Sequence, residues 1–343
     1  MAVQKIAINN FTVFKKTEIE FCDGINVFIG ENGTGKTHLL KLIYLICKYR
    51  STNPPYLTSL IDLFGIGFDV GNCEATSVIT DEILTAEGVE PEAYIPITLS
   101  FQINGKNDKY IRQQETNAEI RMEAKALKSP VFIPTKEVFS MHRITKIADE
   151  YKTALNIDAT LTEIINKAEN IIPDNPSELA KKLAPAVEEV IGGQIYFNEK
   201  YKLFWVRKSD GLEFPLSSEA EGFKKLGLLW QLLMNRSITE NTILLWDEPD
   251  ANLNPGLTSV AVNILLELSR HGVQVFLATH DYNLMKYFSI KRKNNDNLAF
   301  FSLYKTENGV SCEREDDYNL LENNAIVDAN IQLYKDDVER VLG

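Results

Sequence analysis

The sequence predicts an α/β fold in which a mixed or parallel central sheet is flanked by helices and accompanied by an antiparallel β subdomain and a helical insert. Three apolar runs carry this prediction, because each is typical of a strand that is buried on both faces. They are Ile25–Ile29, Thr242–Trp246 and Val273–Ala278, and each one ends in a polar motif. Ligands of such sheets bind beyond the carboxyl ends of the strands, so these motifs are the first candidates for a functional site.

The first apolar run leads into a glycine-rich turn and then into an apolar helix that covers Leu39 to Ile46. The turn, Gly30-Glu31-Asn32-Gly33-Thr34-Gly35-Lys36-Thr37, fits the phosphate-loop pattern G-x-x-x-x-G-K-[ST]. Its glycines let successive backbone N–H groups curl around an anion, towards which the following helix directs its partial positive charge. We therefore expect Lys36 to reach the β- and γ-phosphates of ATP and the Thr37 hydroxyl to bind Mg²⁺. The predicted nucleotide-binding positions here are Gly30, Asn32, Gly33, Thr34, Gly35, Lys36, Thr37 and His38.

Length and composition are those of a globular protein with about two domains. The chain has 343 residues, of which 44% are apolar and 24% are charged. It has no apolar run of about 18 residues and no secretory signal at the N-terminus, so we expect no membrane span. The four cysteines lie far apart without metal-type spacing, which favours a reduced, cytoplasmic setting.

The net charge of −12 argues against broad adhesion to nucleic acid or to an anionic membrane. A local basic groove would need a compact cluster of cations. The two such clusters are Lys224-Lys225 and Lys291-Arg292-Lys293, and we interpret both as parts of a solvated helix face or loop.

The first third of the chain predicts mostly strands. Alternation within residues 3–21 indicates two half-buried strands joined by Asn9–Lys16, whereas residues 51–92 give only a weak signal. Tyr94–Phe101 alternates and is followed by Asn104-Gly105, a hairpin turn, so Tyr110–Arg112 is a candidate return strand. Val131–Ile133 reads as a short buried strand.

The middle of the chain predicts helices and then strands. Residues 136–190 are helical in pattern. One helix covers Glu178 to Ile191, with a start marked by Asn175-Pro176 and with Gly192-Gly193 just past its end. Residues 194–214 return to strands with a turn at Asp210-Gly211, and an apolar helix follows at Phe223–Leu233. The expected division is a discontinuous head, residues 1–135 and 194–343, with a helical insert at 136–193. A last helix covers 325–342, on which Ile326, Ile331, Leu333, Val338 and Leu342 would pack.

The other two apolar runs end in groups suited to phosphate chemistry. Asp247 follows the second run and can hold Mg²⁺ through water, and Glu248 can orient and deprotonate the attacking water. His280 follows the third run at the same rim of the sheet, and we interpret it as a sensor of the γ-phosphate. The alternative is a histidine that caps a helix or faces solvent. The predicted catalytic residues are Glu248, His280 and Lys36, and the predicted metal ligands are Thr37 and Asp247.

Taken in order, the motifs resemble those of the ABC-type ATPases. The resemblance is to the soluble branch that includes RecF, the SMC proteins and the ATPase half of the OLD-family nucleases, and it implies an ABC-ATPase head. The matching segments are the phosphate loop Gly30–Thr37, a signature segment Leu216–Gly222, the Walker B segment Asp247-Glu248-Pro249, the D-loop segment Asp250–Pro255 and the switch histidine His280.

The resemblance implies a head-to-tail pair that encloses two ATP molecules. Ser217 or Ser218 of one copy would then touch the γ-phosphate held by the other, and Asn254 of the D-loop would cross the seam. Glu137 lies where the family carries a Q-loop glutamine, with an exposed acid at a helix start as the alternative. Glu219 replaces the usual signature glycine, and a carboxylate there repels phosphate unless it is neutralised. We expect Lys224 and Lys225 to compensate it.

The favoured function is a switch ATPase that binds ATP and Mg²⁺, forms a homodimer or higher homo-oligomer, and regulates a separate effector, a nuclease or toxin. The signature form resembles small bacterial ATPases of phage-defence and toxin-linked operons, which favours antiphage defence. The main alternative is a RecF-like ATPase that binds DNA ends, although the charge does not indicate nucleic acid. A transporter subunit and an ATP-binding scaffold without turnover are the remaining alternatives.

Overall fold

A computed structural model gives the fold of the chain in two compact units. It describes residues 3–49, 95–103, 116–124, 128–150 and 158–342. One unit comprises Met1–Ser129 with Asn297–Gly343, and the other comprises Pro130–Asp296. The predicted division into a head and a helical insert stays a prediction.

The first unit contains an antiparallel sheet with the strand order β2-β1-β5-β4. Its strands are β1, Val3–Phe11; β2, Phe14–Glu20; β4, Ile95–Ile103; and β5, Thr116–Ala124. The predicted antiparallel subdomain is therefore confirmed. The predicted connection at Asn9–Lys16 was too long, because Asn9 pairs with Lys16 and Phe11 pairs with Phe14 in the ladder. Only Thr12 and Val13 remain to make the turn.

The predicted strand at Tyr94–Phe101 is confirmed as β4, and its partner is β5, in register from Ile103 and Thr116 onwards. The candidate return strand Tyr110–Arg112 and the weak segment 51–92 lie outside the described residues. β5 was not predicted, although its alternation of apolar and charged residues is a strand signal.

Three further strands of the first unit include the one that leads into the phosphate loop. They are β3, Ile25–Ile29; β12, Leu298–Thr306; and β13, Gly309–Glu315. β12 runs parallel to β3 and antiparallel to β13. All five residues of β3 are buried, as predicted for a strand covered on both faces. Helix α1, Lys36–Tyr49, begins directly after the loop and buries an apolar face that includes Leu39, Leu42 and Ile43.

The second unit has its own three strands in the order β11-β10-β6. They are β6, Ser129–Ile133; β10, Thr242–Asp247; and β11, Gln274–Ala278. β10 and β11 are parallel, with Asp247 opposite Ala278, and every residue of both strands is buried. Helices α6, Pro255–Arg270, and α7, Tyr282–Lys291, follow these two strands. The predicted buried parallel strands are confirmed, and with them the α/β class.

Three helices occupy the stretch that was predicted to be helical. They are α2, Val138–Glu150; α3, Ala159–Ala168; and α4, Glu178–Ile191. The predicted bounds of the last helix are confirmed, but the predicted start signal at Asn175 was two residues early, because Ser177 caps the helix by accepting a hydrogen bond from the backbone N–H of Ala180 at 3.1 Å. The predicted end is confirmed, since Gly192 adopts the left-handed conformation with φ 69°.

The predicted strands after α4 form an antiparallel three-stranded sheet. They are β7, Gly193–Asn198; β8, Leu203–Lys208; and β9, Glu213–Pro215. A 3₁₀ turn, Leu216–Ser218, then leads into the apolar helix α5, Glu221–Met234. The signature segment therefore spans the 3₁₀ turn and the first residues of α5.

The last helix, α8, Ala325–Leu342, is present as predicted but buries none of its residues. Ile331, Leu333 and Leu342 are 47%, 68% and 81% exposed, so their predicted packing was wrong, whereas Ile326 and Val338 are half-buried. The apolar spacing indicates which face of a helix could pack, but it does not indicate whether a surface lies opposite that face. Among the described helices, none combines the length and hydropathy that a bilayer crossing requires.

Candidate functional site

The phosphate loop has the backbone shape that an anion requires. Gly30, Gly33 and Gly35 have φ values of 143°, 80° and 87°, which residues other than glycine rarely adopt. A Cβ at Gly30 would lie 2.2 Å from the carbonyl oxygen of Leu303, and one at Gly35 would lie 2.6 Å from Cγ2 of Val13. A Cβ at Gly33 would meet nothing within 4 Å. The loop is therefore packed on one side and open above Gly33, as a phosphate cradle must be.

Lys36 places its ammonium within the curve of this loop. Its side-chain Nζ donates to the carbonyl oxygens of Gly30 at 2.9 Å and Glu31 at 3.0 Å, and the residue is 6% exposed. The hydroxyl of Thr34 also donates to the carbonyl of Glu31, at 2.9 Å. A buried cation beside a left-handed glycine loop at a helix N-terminus fits a triphosphate.

The remaining predicted positions of the loop lie around this cradle. Asn32 is exposed, and Thr37 and His38 are half-buried in the first turn of α1. Burial, and to a smaller extent the nearby Lys41, lowers the pKa of His38 below its usual value. Its imidazole is therefore neutral at pH 7 and adds no positive charge for the phosphates.

In the second unit, the ends of β10 and β11 bring three predicted site residues to one rim. Asp247 is 5% exposed, and its Oδ2 accepts from the Thr135 hydroxyl at 2.8 Å. His280 Nε2 lies 3.2 Å from Glu248 Oε1. Parallel strands end at the same edge of a sheet, which explains why residues more than thirty positions apart in the chain meet. The structure therefore places Glu248 and His280 in contact.

The backbone at Glu248 is unusual, because its φ of 51° is left-handed. Few residues with a Cβ adopt this conformation, which costs about 1–3 kcal/mol and therefore persists only where surrounding contacts impose it. Its N–H donates to the carbonyl of Ala278 at 2.8 Å, which holds the residue against the end of β11. The turn thus directs Glu248 away from the strand that precedes it.

Lys224 and Lys225 are buried, at 6% and 5% exposed, so their interpretation as a solvated face was wrong. Lys225 Nζ donates to the carbonyl oxygen of Glu248 at 2.7 Å. Lys224 Nζ lies 3.0 Å from Ser140 Oγ and 3.4 Å from Glu137 Oε2. The position of the two lysines at the start of an otherwise apolar helix was a signal of their burial. Such charges are buried only where oppositely charged or polar groups pair with them.

Buried charges near this rim shift one another's pKa. Burial lowers the pKa of Lys225, while the carboxylates of Asp250 and Glu248 act in the opposite direction. Burial raises the pKa of Asp250, whose Oδ1 accepts a hydrogen bond from the Thr279 hydroxyl at 2.5 Å. A protein interior disfavours isolated charges, so each of these groups depends on the others to stay ionised.

The carboxylate of the signature segment has a cationic partner that was not predicted. Glu219 forms an ion pair with Lys208 of β8, and their side chains are 10% and 19% exposed. The predicted compensation by Lys224 and Lys225 was therefore wrong, because those lysines contact other partners. Ser217 and Ser218 are exposed on the 3₁₀ turn.

Replacing Lys208 with methionine is expected to lower the free energy of unfolding by about 1–3 kcal/mol, because it leaves Glu219 without its cation in a mostly buried position. The matched control is Lys181→Met on α4, whose ion pair with Glu178 is 54% and 87% exposed and should contribute less than about 1 kcal/mol. Urea unfolding followed by circular dichroism measures both variants. Equal effects of the two substitutions would contradict the assignment of the ion pair.

Comparison with known proteins agrees with these motifs over most of the chain. A family model described as an AAA ATPase domain matches residues 1–138, and one described as an AAA domain, putative AbiEii toxin, Type IV TA system, matches residues 136–286. The DNA replication and repair protein RecF of Thermoanaerobacter sp. (strain X514) is 43% identical over 61 residues, which are 18% of this chain and 17% of that protein. Together the two models match residues 1–286, and with the RecF identity they support an ABC-type ATPase of the RecF/SMC branch.

A second curated relative matches over a similarly short stretch, whereas a solved structure matches over most of the chain. The RecF protein of Cytophaga hutchinsonii is 45% identical over 51 residues, so the match spans 15% of this chain and 14% of its own length. A solved SMC head domain from Thermotoga maritima covers 92% of this chain and 99% of its own, at 14% identity and a TM-score of 0.45. The family assignment depends on the sequence matches and not on this structural similarity.

Two further positions implied by the ABC-type resemblance have local structural roles in the described residues. Glu137 accepts hydrogen bonds from the backbone N–H groups of Phe139 at 2.6 Å and Ser140 at 2.8 Å, so it caps α2. Its side chain is 9% exposed, so it lies at a helix start but is not an exposed acid. Asn254 caps α6 by accepting from Leu257 N–H at 3.0 Å. The Q-loop role of Glu137 and the seam role of Asn254 stay predictions.

The side chains predicted to bind metal have the chemistry that Mg²⁺ prefers. Magnesium bound to nucleotides takes one or two protein oxygens together with phosphates and water. Thr37 and Asp247, the predicted ligands, each carry an oxygen donor of this kind, and their joint binding of Mg²⁺ stays a prediction. Within the described part of the chain there is no group of three or more His, Cys, Asp and Glu side chains that could hold a metal ion by themselves.

Proposed function

We propose that this protein binds ATP with Mg²⁺, hydrolyses it slowly to ADP and phosphate, and uses the bound nucleotide as a switch. The observation that carries this proposal is the 3.2 Å contact of Glu248 Oε1 with His280 Nε2 at the ends of two parallel strands. A carboxylate beside an imidazole at this edge can take a proton from water while the imidazole contacts the γ-phosphate.

Each of the proposed site residues has a distinct part in this reaction. The oxygen of a water molecule bonds to the γ-phosphorus, the bond from that phosphorus to the bridging oxygen breaks, and Glu248 accepts the proton of the water. Lys36 and the loop N–H groups stabilise the charge on the β- and γ-phosphates. Thr37 and Asp247 would hold Mg²⁺, which when bound neutralises charge on the phosphate oxygens.

The switch would work through a homodimer or a higher homo-oligomer. Ser217, Ser218 and Asn254 are exposed, so each is available to a neighbouring copy. In this proposal ATP joins two copies and hydrolysis releases them. The regulated partner is a separate cytoplasmic effector, a nuclease or toxin, in antiphage defence. The description of the second matching family, which refers to a toxin–antitoxin system, supports this part of the proposal.

The test combines turnover, dimerisation and partner capture. We expect the purified protein to release phosphate from ATP, to form a larger species with ATP in analytical ultracentrifugation, and to co-purify with the product of a neighbouring gene. Failure to bind ATP would overturn the proposal. Binding without turnover would instead support an ATP-binding scaffold, and activity that is unchanged by any operon partner would contradict the switch role.

The second candidate is a RecF-like ATPase that binds DNA ends, and the sequence identity with RecF proteins favours it. It predicts DNA binding that ATP strengthens and that weakens steeply as salt rises. The net charge of −12 opposes it, since a DNA-binding surface would have to be local. A gel-shift at low salt without an ATP-dependent complex would eliminate this candidate.

A further inference from the structure

We propose that Lys225 is a positioning residue that holds the backbone of Glu248 in its working conformation and links the signature helix α5 to the catalytic base. This inference rests on the proposed function, because it assigns Lys225 a role only if Glu248 activates water. It also gives the buried lysine a task that charge patterning alone did not indicate.

The contact itself is short and protected from solvent. Lys225 Nζ donates to the carbonyl oxygen of Glu248 at 2.7 Å, and the lysine is 5% exposed. Glu248 is held a second time by its N–H, which donates to Ala278 at 2.8 Å. With φ at 51°, Glu248 has a conformation that only surrounding contacts maintain. The carbonyl oxygen of Glu248 also accepts from the N–H of Ala251 at 3.2 Å. The lysine is thus the side-chain member of three hydrogen bonds that restrain this backbone.

The local charges explain why a lysine occupies this position. Asp247 is buried and Asp250 is half-buried, and both carboxylates act on Lys225. An ammonium group among carboxylates offsets their mutual repulsion, which an apolar side chain of the same length cannot do. We therefore expect that the lysine fixes both the backbone and the charge balance around Glu248.

The first turn of α5 connects this restraint to the signature segment. The neighbouring Lys224 places its Nζ 3.5 Å from the carbonyl oxygen of Ser217. Gly222, in the same turn, approaches the D-loop so closely that a Cβ there would lie 3.0 Å from the carbonyl oxygen of Asn252. When Ser217 or Ser218 engages a nucleotide, a small shift of α5 would reach Glu248 through Lys225. The expected effect is on turnover and not on ATP affinity.

The experiment compares Lys225→Met with Lys181→Met, a lysine on α4 that is exposed and paired with Glu178. We expect Lys225→Met to lower kcat by about 10²-fold, as a small misplacement of a catalytic group does, with the Kd for ATP changed by less than about threefold. Lys181→Met should leave both values unchanged. Lys225→Arg keeps a donor and a charge, so it should recover part of the loss.

A double-mutant cycle separates positioning from general damage. In a Glu248→Gln background the base is already absent, so Lys225→Met should cause no further loss of turnover. Losses that multiply in the double variant would overturn the inference. Melting temperatures show whether Lys225→Met folds. If it does not fold, the kcat of Lys225→Arg decides the test: a partial loss of turnover supports the inference, and wild-type turnover overturns it.

The outcomes also distinguish this inference from the proposed function. A wild-type protein without turnover overturns both. A wild-type protein that hydrolyses ATP, with Lys225→Met equally active, overturns the role of Lys225 and leaves the proposed function intact.

Discussion

Replacing Glu248 with glutamine should lower ATP turnover by about 10²–10⁴-fold, the range that a general base contributes, while ATP binding changes little. Glutamine keeps the size of the side chain and its contact distance to His280 but cannot accept the proton of the attacking water. ATP should therefore remain bound, and the ATP-dependent dimer should live longer. Single-turnover phosphate release and sedimentation in the presence of ATP measure the two effects.

A suitable control is Glu199→Gln, because the Glu199 side chain is 75% exposed in the β7–β8 turn and should leave turnover unchanged. Wild-type turnover by Glu248→Gln would show that another group activates the water. A variant that loses ATP binding together with turnover would show that Glu248 supports the nucleotide site and not the chemical step.

Lys36→Met should weaken ATP binding by about 10²-fold or more. The variant loses an ammonium that forms charge-assisted hydrogen bonds with phosphate, each of which contributes about 1.5–3 kcal/mol. It also leaves the carbonyl oxygens of Gly30 and Glu31 without the donor that now meets them at 2.9 and 3.0 Å. Titration calorimetry with ATP in the presence of Mg²⁺ gives the change in Kd directly.

Lys48→Met provides the comparison for Lys36, because Lys48 lies in the last turn of the same helix, about 18 Å along its axis. We expect its ATP affinity to match that of the wild type. If Lys36→Met binds ATP as tightly as Lys48→Met does, the phosphate loop does not hold the nucleotide, and the assignment of this site fails.

The central strands and their motifs could be predicted because their signals are local. β3, β10 and β11 are mainly apolar runs that stop at Gly30, Asp247 and Thr279, and such runs indicate strands that are buried on both faces. The contact of Glu248 with His280 also followed from local pattern, since parallel strands end at one edge of a sheet.

Features that depend on distant partners could not be predicted in the same way. In the sequence alone Lys225 is indistinguishable from a solvated lysine, and only the fold shows its contact with Glu248 at the end of β10. Glu219 likewise looks like a repulsive carboxylate in the sequence, whereas in the fold it pairs with Lys208 of β8. The same limit applies to α8, where the period of apolar residues was visible but the absence of a covering surface over the described helix was not. Pairings between separate elements are set by the tertiary fold, which single-sequence patterns do not encode.

The turn between the first two strands affects how tightly the phosphate loop would bind a nucleotide. Val13 and Phe14 fill the space beside Gly35, so the curve of the phosphate loop is supported by neighbouring side chains before any ligand arrives. A loop whose shape is already set loses little conformational freedom when it binds, so more of the interaction energy remains as affinity. A larger side chain in this turn would therefore act on nucleotide affinity from a position that touches no phosphate.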